Sequence, residues 1–397
     1  MKLHPVLLKA VAEALTDIFR NGKYADKVIE RLLKSNPKWG SRDRAFLAET
    51  IYECVRWWRL YAYLSQNVSL SINEIKGVIG VHLILKYEQN LDEFPSLDFE
   101  KLKKLNSEIS ERTIKNSIPD WLDEIGENEL GNTQFESELM ALNQPASVVL
   151  RCNELKISIL DLQKKLLALE WETKTSPLSK DALVLQKRGN IFQTELFKNG
   201  FFEVQDAGSQ TIAPFLQVEP GMRVVDACAG AGGKSLHLAT LMQNKGRIIA
   251  LDTEGWKLEE LQRRARRNGI FNIETRAIDT TKVVKRLGET ADRVLLDVPC
   301  SGLGVLRRNP DAKWKLKPDF LNEIRAKQAS ILENYAKMAR VGGKIVYATC
   351  SILPSENENQ VKAFLEKNKN FKWLDERKIS PAVEGFDGFY MALLERV

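Results

Sequence analysis

Residues 224–235 read VVDACAGAGGKS, and the ligand this stretch holds decides the fold around it. It ends in Gly-Lys-Ser, like a loop that cradles a nucleoside triphosphate, and it contains the Gly-x-Gly of a dinucleotide loop. The triphosphate pattern needs a glycine five positions before Gly233, and that position is Cys228. The dinucleotide template matches at Gly230 and Gly232. Its last position is Ser235, small enough to let a helix pack closely against a strand. The acid that such a loop requires about twenty residues on, for ribose hydroxyls, is Asp252 at the end of GRIIALD. The stretch therefore reads as a turn where backbone approaches an adenosine-bearing ligand.

NAD and S-adenosylmethionine both meet that description. A pyrophosphate would use the positive end of the following helix. S-adenosylmethionine has no phosphate and carries a cationic sulfonium, which acids at strand ends favour. Asp226, Asp252, Asp279 and Asp297 each close a strand-like run. One such acid alone is a plausible helix cap. Four at one sheet edge are better explained by a ligand, because open α/β sheets bind ligands outside the carboxyl ends of their strands. The expected cofactor site is Cys228, Ala229, Gly230, Ala231, Gly232, Gly233 and Lys234, with Asp252, Asp279 and Asp297.

From residue 221 onward, strand-like and helix-like runs alternate. MRVVDA precedes KSLHLATLMQ, GRIIALD precedes LEELQRRARRNG, and DRVLLDV and GKIVYATC follow with helices between them. This alternation predicts the α/β class, with a doubly wound, Rossmann-like sheet over residues 221–397. Ser355 and Glu358 have the spacing of a capping box for the last helix. Residues 143–220 mix strand-like SVVLRCN and ALVLQ with helical ISILDLQKKLLAL, which predicts a small α/β connecting subdomain. Residues 1–142 place apolar side chains three and four apart in LLKAVAEALTDIF, YADKVIERLLK and INEIKGVIGVHLILKY, which predicts an all-α domain.

Composition narrows the function classes. Of 397 residues 44% are apolar, enough for several cores, yet no apolar run is long enough to span a membrane. Glu13 and Asp17 interrupt the first apolar run, so it reads as an amphipathic helix and not as a signal peptide. Five scattered cysteines and three histidines (His4, His82 and His237) argue against a metal site. A reduced, cytoplasmic protein is expected, acting as a monomer. The net charge of +6 is uneven, at −3 over residues 1–140 and +9 over the remainder. Basic charge gathered in the later part points to nucleic acid.

Cys300 follows DRVLLDV in DVPCSG, and Cys350 ends GKIVYATC. A free cysteine is ordinarily a small buried hydrophobe, and Cys54 and Cys152 read that way. Cys300 and Cys350 differ, because neighbouring strands of a doubly wound sheet would open both onto the cleft of the glycine loop. The residues alone do not rank the two thiols.

The motifs DACAGAGGKS, LLDVPCSGLGVLRRNPDAKW, ATCSILPSENENQV and DGFYMALLER resemble those of RNA cytosine-C5 methyltransferases of the RsmB/Nop2/Sun group. The resemblance extends from about Gln144 to the C-terminus. Upstream, SRDRAFLAETIYECVRWWRL resembles the NusB-like helical domain at the start of bacterial RsmB proteins. Ala231 stands where the family commonly has proline, and Ser235 where it commonly has threonine. The resemblance implies S-adenosylmethionine as methyl donor and RNA as substrate, with small-subunit rRNA expected. A tRNA or other RNA is the alternative, and a non-catalytic assembly factor a more distant one. It also implies that Cys350 is the nucleophile, that Cys300 assists product release, and that Asp297 faces the base, where a protonated carboxyl would stabilise charge on the ring.

C5 of cytosine is a poor nucleophile, and adding a thiolate to C6 turns the ring into an enamine that can attack a methyl sulfonium. The base must leave its stack to reach such a pocket. Arg307, Arg308, Lys313 and Trp314 follow Cys300 closely and mix positive charge with an aromatic ring, as RNA contacts require. The run RRARR at 263–267 reads instead as a solvated helix face, and His237 as a packed helix residue.

Overall fold

The computed structural model describes residues 3–66, 72–279 and 281–397. The chain forms two compact units, one of residues 1–144 with 306–318, the other of residues 145–305 with 319–397.

The described residues of the first unit hold helices and turns and no strand. Its core forms where the apolar sides of helices Pro5–Phe19 and Ser41–Arg56 pack around helix Ile72–Tyr87, which is buried on all sides over residues 78–84. Val11, Leu15, Leu47, Ile51, Ile79 and Leu83 are buried there. Each such side chain contributes about 1.5–3 kcal/mol by leaving water. Residues 306–318, which the strand–helix alternation assigns to the 221–397 domain, are built into this helical unit. Ala25 N–H donates to Asp311 (2.9 Å), Trp314 Nε1 to the Val55 carbonyl (2.7 Å), and Arg56 to the Arg307 carbonyl (3.1 Å). Lys315 Nζ donates to the Lys23 carbonyl at 2.6 Å.

The second unit carries two sheets. The smaller contains β1 (Val149–Cys152), β2 (Thr173–Thr175), β3 (Ala182–Leu185) and β4 (Phe202–Val204), antiparallel in the order β2-β3-β1-β4. Helix Ile159–Leu167 covers it, burying Leu162 and Leu166 against Leu150, Leu183 and Phe202.

The larger sheet contains β5 (Arg223–Asp226), β6 (Arg247–Asp252), β7 (Ile273–Ala277), β8 (Ala291–Asp297), β9 (Ala339–Thr349), β10 (Phe371–Ile379) and β11 (Phe389–Arg396). Their order is β10-β11-β9-β8-β5-β6-β7. Strands β5 to β9 run parallel to one another, and β11 runs antiparallel to both β9 and β10. Parallel strands buried on both faces need near-continuous apolar runs. Val224, Val225, Val294–Leu296 and Ile345–Tyr347 supply them, with no exposure. The chain reverses its direction of strand addition at β5, because β6 and β7 lie to one side and β8 and β9 to the other. That reversal opens a crevice at the strand ends, where residues 227–232 begin.

The two sheets are fastened together by buried polar groups. Asn153 Nδ2 donates to the carbonyls of Gly200 (2.8 Å) and Asn268 (3.0 Å). Glu203 on β4, 4% exposed in its side chain, is ion-paired with Arg264 and Arg267 and accepts from Asn268 Nδ2 at 2.5 Å. The RRARR run is therefore not a uniformly solvated face. Arg263 and Arg266 are exposed, whereas Arg264 and Arg267 turn toward the small sheet.

Candidate active site

The glycine loop leaves β5 and enters helix Gly233–Leu241. Gly232 has φ +85°, and a Cβ there would lie 2.3 Å from Leu261, so the turn and the approach of helix Gly255–Asn268 both require glycine. The Gly230 N–H donates to Asp252 Oδ2 at 2.9 Å, while the other Asp252 oxygen accepts the Glu254 N–H at 2.9 Å. The acid expected to meet the ribose thus also pins the loop. Two carbonyls of the loop are held from behind. Arg264 Nη1 donates to Ala231 O at 2.8 Å, and the buried Arg151 of β1 donates to Gly233 O at 2.6 Å and to Gln205.

Lys234, in the first turn of its helix, lies 2.5 Å from Asp297 Oδ2 at the end of β8 and 5.7 Å from the Phe389 ring centroid. Burial works against the Lys234 charge, but Asp297 outweighs it and holds the ammonium above its ordinary range, with Cys350 adding to the attraction. Asp226 is buried beneath the loop and accepts from Ser235 Oγ at 2.6 Å. Burial, with the nearby Asp297 charge, pushes its carboxyl up to about 7.

The two cysteines meet. Asp297 of β8 pairs in register with Ala348 of β9, so the chain reaches Cys300 and Cys350 just beyond adjacent strand ends. Their Sγ atoms are 3.2 Å apart, and the Cys350 N–H lies 3.3 Å from Cys300 Sγ. The hydrogen bond to Cys350, followed by burial, pushes the Cys300 thiol well above its ordinary range. Gly304 donates to the Cys350 carbonyl at 2.9 Å and accepts the Gly388 N–H at 2.7 Å. A Cβ at Gly304 would lie 2.4 Å from the Gly388 carbonyl oxygen, so the glycines of the PCSGLG and DGF motifs allow their backbones to touch.

These elements line a cleft of about 530 Å³ that contains Cys228, Gly230, Lys234, Asp252, Asp297, Cys300 and Cys350. The adenosyl group and cationic sulfonium of S-adenosylmethionine fit this lining. Asp252, Glu254 and Asp297 supply negative charge, Ile278, Ile331 and Tyr335 supply apolar surface, Lys234 and Lys257 are each paired with one of the acids, and Lys327 lines the rim as a third cation.

Not every expected residue falls here. Ala229, Ala231, Gly232 and Gly233 shape the loop without lining the cleft, and Asp279 is exposed outside it. Ile278, tied by its N–H to the Asp252 carbonyl at 2.9 Å, takes the position expected of Asp279. Lys313 and Trp314 are corrected as RNA contacts. Lys313 is 1% exposed with Nζ 3.2 Å from Asn143 Oδ1, and Trp314 packs against the helical core. Arg307 and Arg308 are half-buried in the same segment. His237 is packed as expected, 3.3 Å from Asp181, and burial lowers its imidazole to about 4. Among the described residues no group of histidine, cysteine and acid side chains could hold a metal, and no helix is long and apolar enough to cross a membrane.

The strand order, the glycine loop at its point of reversal and the acid-lined cleft define an S-adenosylmethionine-dependent methyltransferase. Residues 213–395 match the family model described as 16S rRNA methyltransferase RsmB/F, and residues 118–192 match its ferredoxin-like domain. The chain is 32% identical to a probable ribosomal RNA small subunit methyltransferase B of Synechocystis, over 96% of this chain and 97% of that one. It is 28% identical to a protein of the same description in Bacillus subtilis, covering 97% of each. The crystal structure of PH0851 superposes over the full length of both chains, with a TM-score of 0.83 at 24% identity, and so shares the fold. The chain belongs to the RsmB/F family of RNA methyltransferases.

Proposed function

We propose that the protein transfers a methyl group from S-adenosylmethionine to C5 of a cytosine in small-subunit ribosomal RNA, through a covalent adduct with Cys350. The observation that carries this reading is the pair of thiols 3.2 Å apart in the cleft that holds the glycine loop and Asp297. A methyltransferase acting on an oxygen or an exocyclic nitrogen needs no thiol, and a small-molecule enzyme on this sheet would leave two unexplained.

Each group has a task. The thiolate is the reactive form of a cysteine, and a neighbouring cation favours it. Lys234, ion-paired with Asp297, lines the cleft alongside Cys350. Cys350 forms the Sγ–C6 bond, and electron density moves to C5. The cofactor supplies an electrophilic methyl on its sulfonium. After C5 has bonded to that methyl, a base takes the C5 proton, the Sγ–C6 bond breaks and the ring regains aromaticity. Cys300 stands beside the bond that must break and is assigned to that release. Asp297, paired with the Lys234 ammonium, meets the base as an acceptor for its exocyclic N–H.

The substrate named for the relatives, the small-subunit ribosomal RNA, supports the choice of RNA. Incubating the protein with methyl-labelled S-adenosylmethionine and unmodified small-subunit rRNA, then mapping the label, tests the reading. Label on C5 of a cytosine is expected. Label confined to tRNA, or on another atom of the base, would contradict it.

A further inference from the structure

We infer that Glu356 is a positioning residue for the two thiols, acting as a buried carboxylate clamp between the loops that carry them. This rests on the reading of Cys300 and Cys350 as the reacting pair.

Glu356 is wholly buried, in a short turn (Pro354–Glu356) ahead of helix Glu358–Lys367. A carboxylate taken from water with no cation beside it costs several kcal/mol unless hydrogen bonds replace its hydration. Four donors do so here. Oε2 accepts the Ser301 N–H (2.8 Å) and Gln328 Nε2 (2.9 Å), and Oε1 accepts Ser301 Oγ (2.5 Å) and Ser351 Oγ (2.6 Å). Ser301 and Ser351 are the residues immediately after Cys300 and Cys350. One side chain thus grips both loops one residue beyond the reacting sulfurs.

The surroundings stiffen this grip. Gln328, from helix Pro318–Tyr335, also donates to the Pro299 carbonyl at 3.1 Å, on the near side of Cys300. Tyr347 OH donates to the Glu356 carbonyl at 2.7 Å, and Asn357 Nδ2 to the Ser351 carbonyl at 3.0 Å. The loop from 350 to 357 is closed on itself by these bonds. Glu356 and the Ser301–Ser351 hydroxyl contact at 3.3 Å link it to the Cys300 loop through side chains. A neutral amide replaces the carboxylate only in part, because it removes the charge and its NH₂ would make the two serine hydroxyls accept where they now donate. The negative charge also acts on Cys300, adding to the hydrogen bond and burial that keep this thiol protonated. Glu356 therefore fixes the separation of the thiols and adds to what keeps Cys300 protonated.

The test compares Glu356→Gln and Ser301→Ala with the parent enzyme. Three quantities are measured: kcat and KM for methyl transfer, Kd for S-adenosylhomocysteine, and the pH profile of Cys300 alkylation by iodoacetamide in a Cys350→Ala background. A clamp predicts that kcat falls roughly tenfold or more, since a misplacement near 1 Å can cost a hundredfold. The cofactor Kd should stay within twofold, and the Cys300 alkylation midpoint should move to lower pH in Glu356→Gln. An unchanged alkylation midpoint, or loss of cofactor binding in parallel with kcat, would overturn the clamp. Should Glu356→Gln fail to fold, an unchanged kcat in Ser301→Ala overturns it. The alkylation profile needs no RNA, so an enzyme that methylates no RNA would refute the proposed function while this readout still decides the role of Glu356.

Discussion

Arg264 donates from Nη1 to the carbonyl oxygen of Ala231 at 2.8 Å, and so ties the glycine loop to helix Gly255–Asn268, which packs on the large sheet. The other arm of the same guanidinium reaches Glu203 at 3.0 Å, and Arg151 holds Gly233 in the same manner from β1. The small sheet is thus part of the device that shapes the cofactor loop. Ala231 stands at a position where proline would have stiffened the turn, and here the stiffness comes from hydrogen bonds to loop carbonyls.

Glu203→Gln removes the charge that orients Arg264 and Arg267 in a largely buried site. The expected result is a loss of roughly 2–4 kcal/mol of stability, below the full cost of breaking a wholly buried ion pair because both arginines keep some contact with water. Affinity for S-adenosylhomocysteine should weaken by about 1–2 kcal/mol, roughly five- to thirtyfold. Arg263→Ala, on the exposed side of the same helix, should change neither. Calorimetric titration and thermal denaturation check both variants, and equal effects at Arg263 and Glu203 would refute the loop-holding role.

The pH dependence of stability should show two opposing contributions. Asp226 has a carboxyl raised to about 7 by burial, so between about 4 and 7 the folded state holds a proton that the unfolded state releases. Its stabilising contribution is full below pH 4 and is lost as pH rises to 7. His237, lowered to about 4, and His82, lowered to about 3, act in the other sense. Burial keeps both neutral, so stability is lost as pH falls below about 6.5 and the unfolded imidazoles take up protons. Asp226→Asn can still accept from Ser235 but does not titrate. Its apparent Tm should rise more steeply with pH between 4 and 6.5 than that of the parent, and should exceed the parent's at pH 8. Parallel curves would show that Asp226 holds no proton in the folded state.

Lys313→Met should be tolerated. Lys313 is buried in the helical unit, with burial and the Arg56 charge lowering its ammonium well below the ordinary range. Removing a buried ammonium relieves its desolvation cost, which offsets the hydrogen bond lost at Asn143. An unchanged or higher Tm is expected, with RNA affinity in a filter-binding assay within about twofold of the parent. A selective loss of RNA affinity at unchanged Tm would restore this residue to the RNA-contacting surface.

What the sequence made legible was chemistry carried by local spacing. Gly230, Gly232 and Asp252 are a pattern of turn and strand end, and DVPCSG and YATCS place both cysteines beyond strands whose apolar runs are unmistakable. The α/β alternation follows from the same runs. The partners of polar groups were not legible, because spacing along the chain does not report them. Arg264 and Arg266 look alike in RRARR, yet one faces Glu203 and the other solvent. Lys313 and Trp314 form a basic and aromatic pair suited to RNA, but their hydrogen-bonding partners lie more than 160 residues away in sequence, at Asn143 and Val55. Strand β10 reads FKWLDERKI, with six of its nine residues exposed, so it carries no burial signal until β11 is beside it. Ser355 and Glu358 matched a capping box, whereas helix Glu358–Lys367 begins after a turn whose buried Glu356 serves the cysteines.

The most direct test of the account uses the two cysteine variants with unmodified small-subunit rRNA and S-adenosylmethionine, followed by denaturing electrophoresis. Cys300→Ala should accumulate a protein–RNA adduct that survives denaturant, because Cys350 adds to the base and is not released. Cys350→Ala should give neither adduct nor methylated product. An adduct in Cys350→Ala and none in Cys300→Ala would contradict the assignment of the thiols, and methylation by both variants would contradict the covalent mechanism.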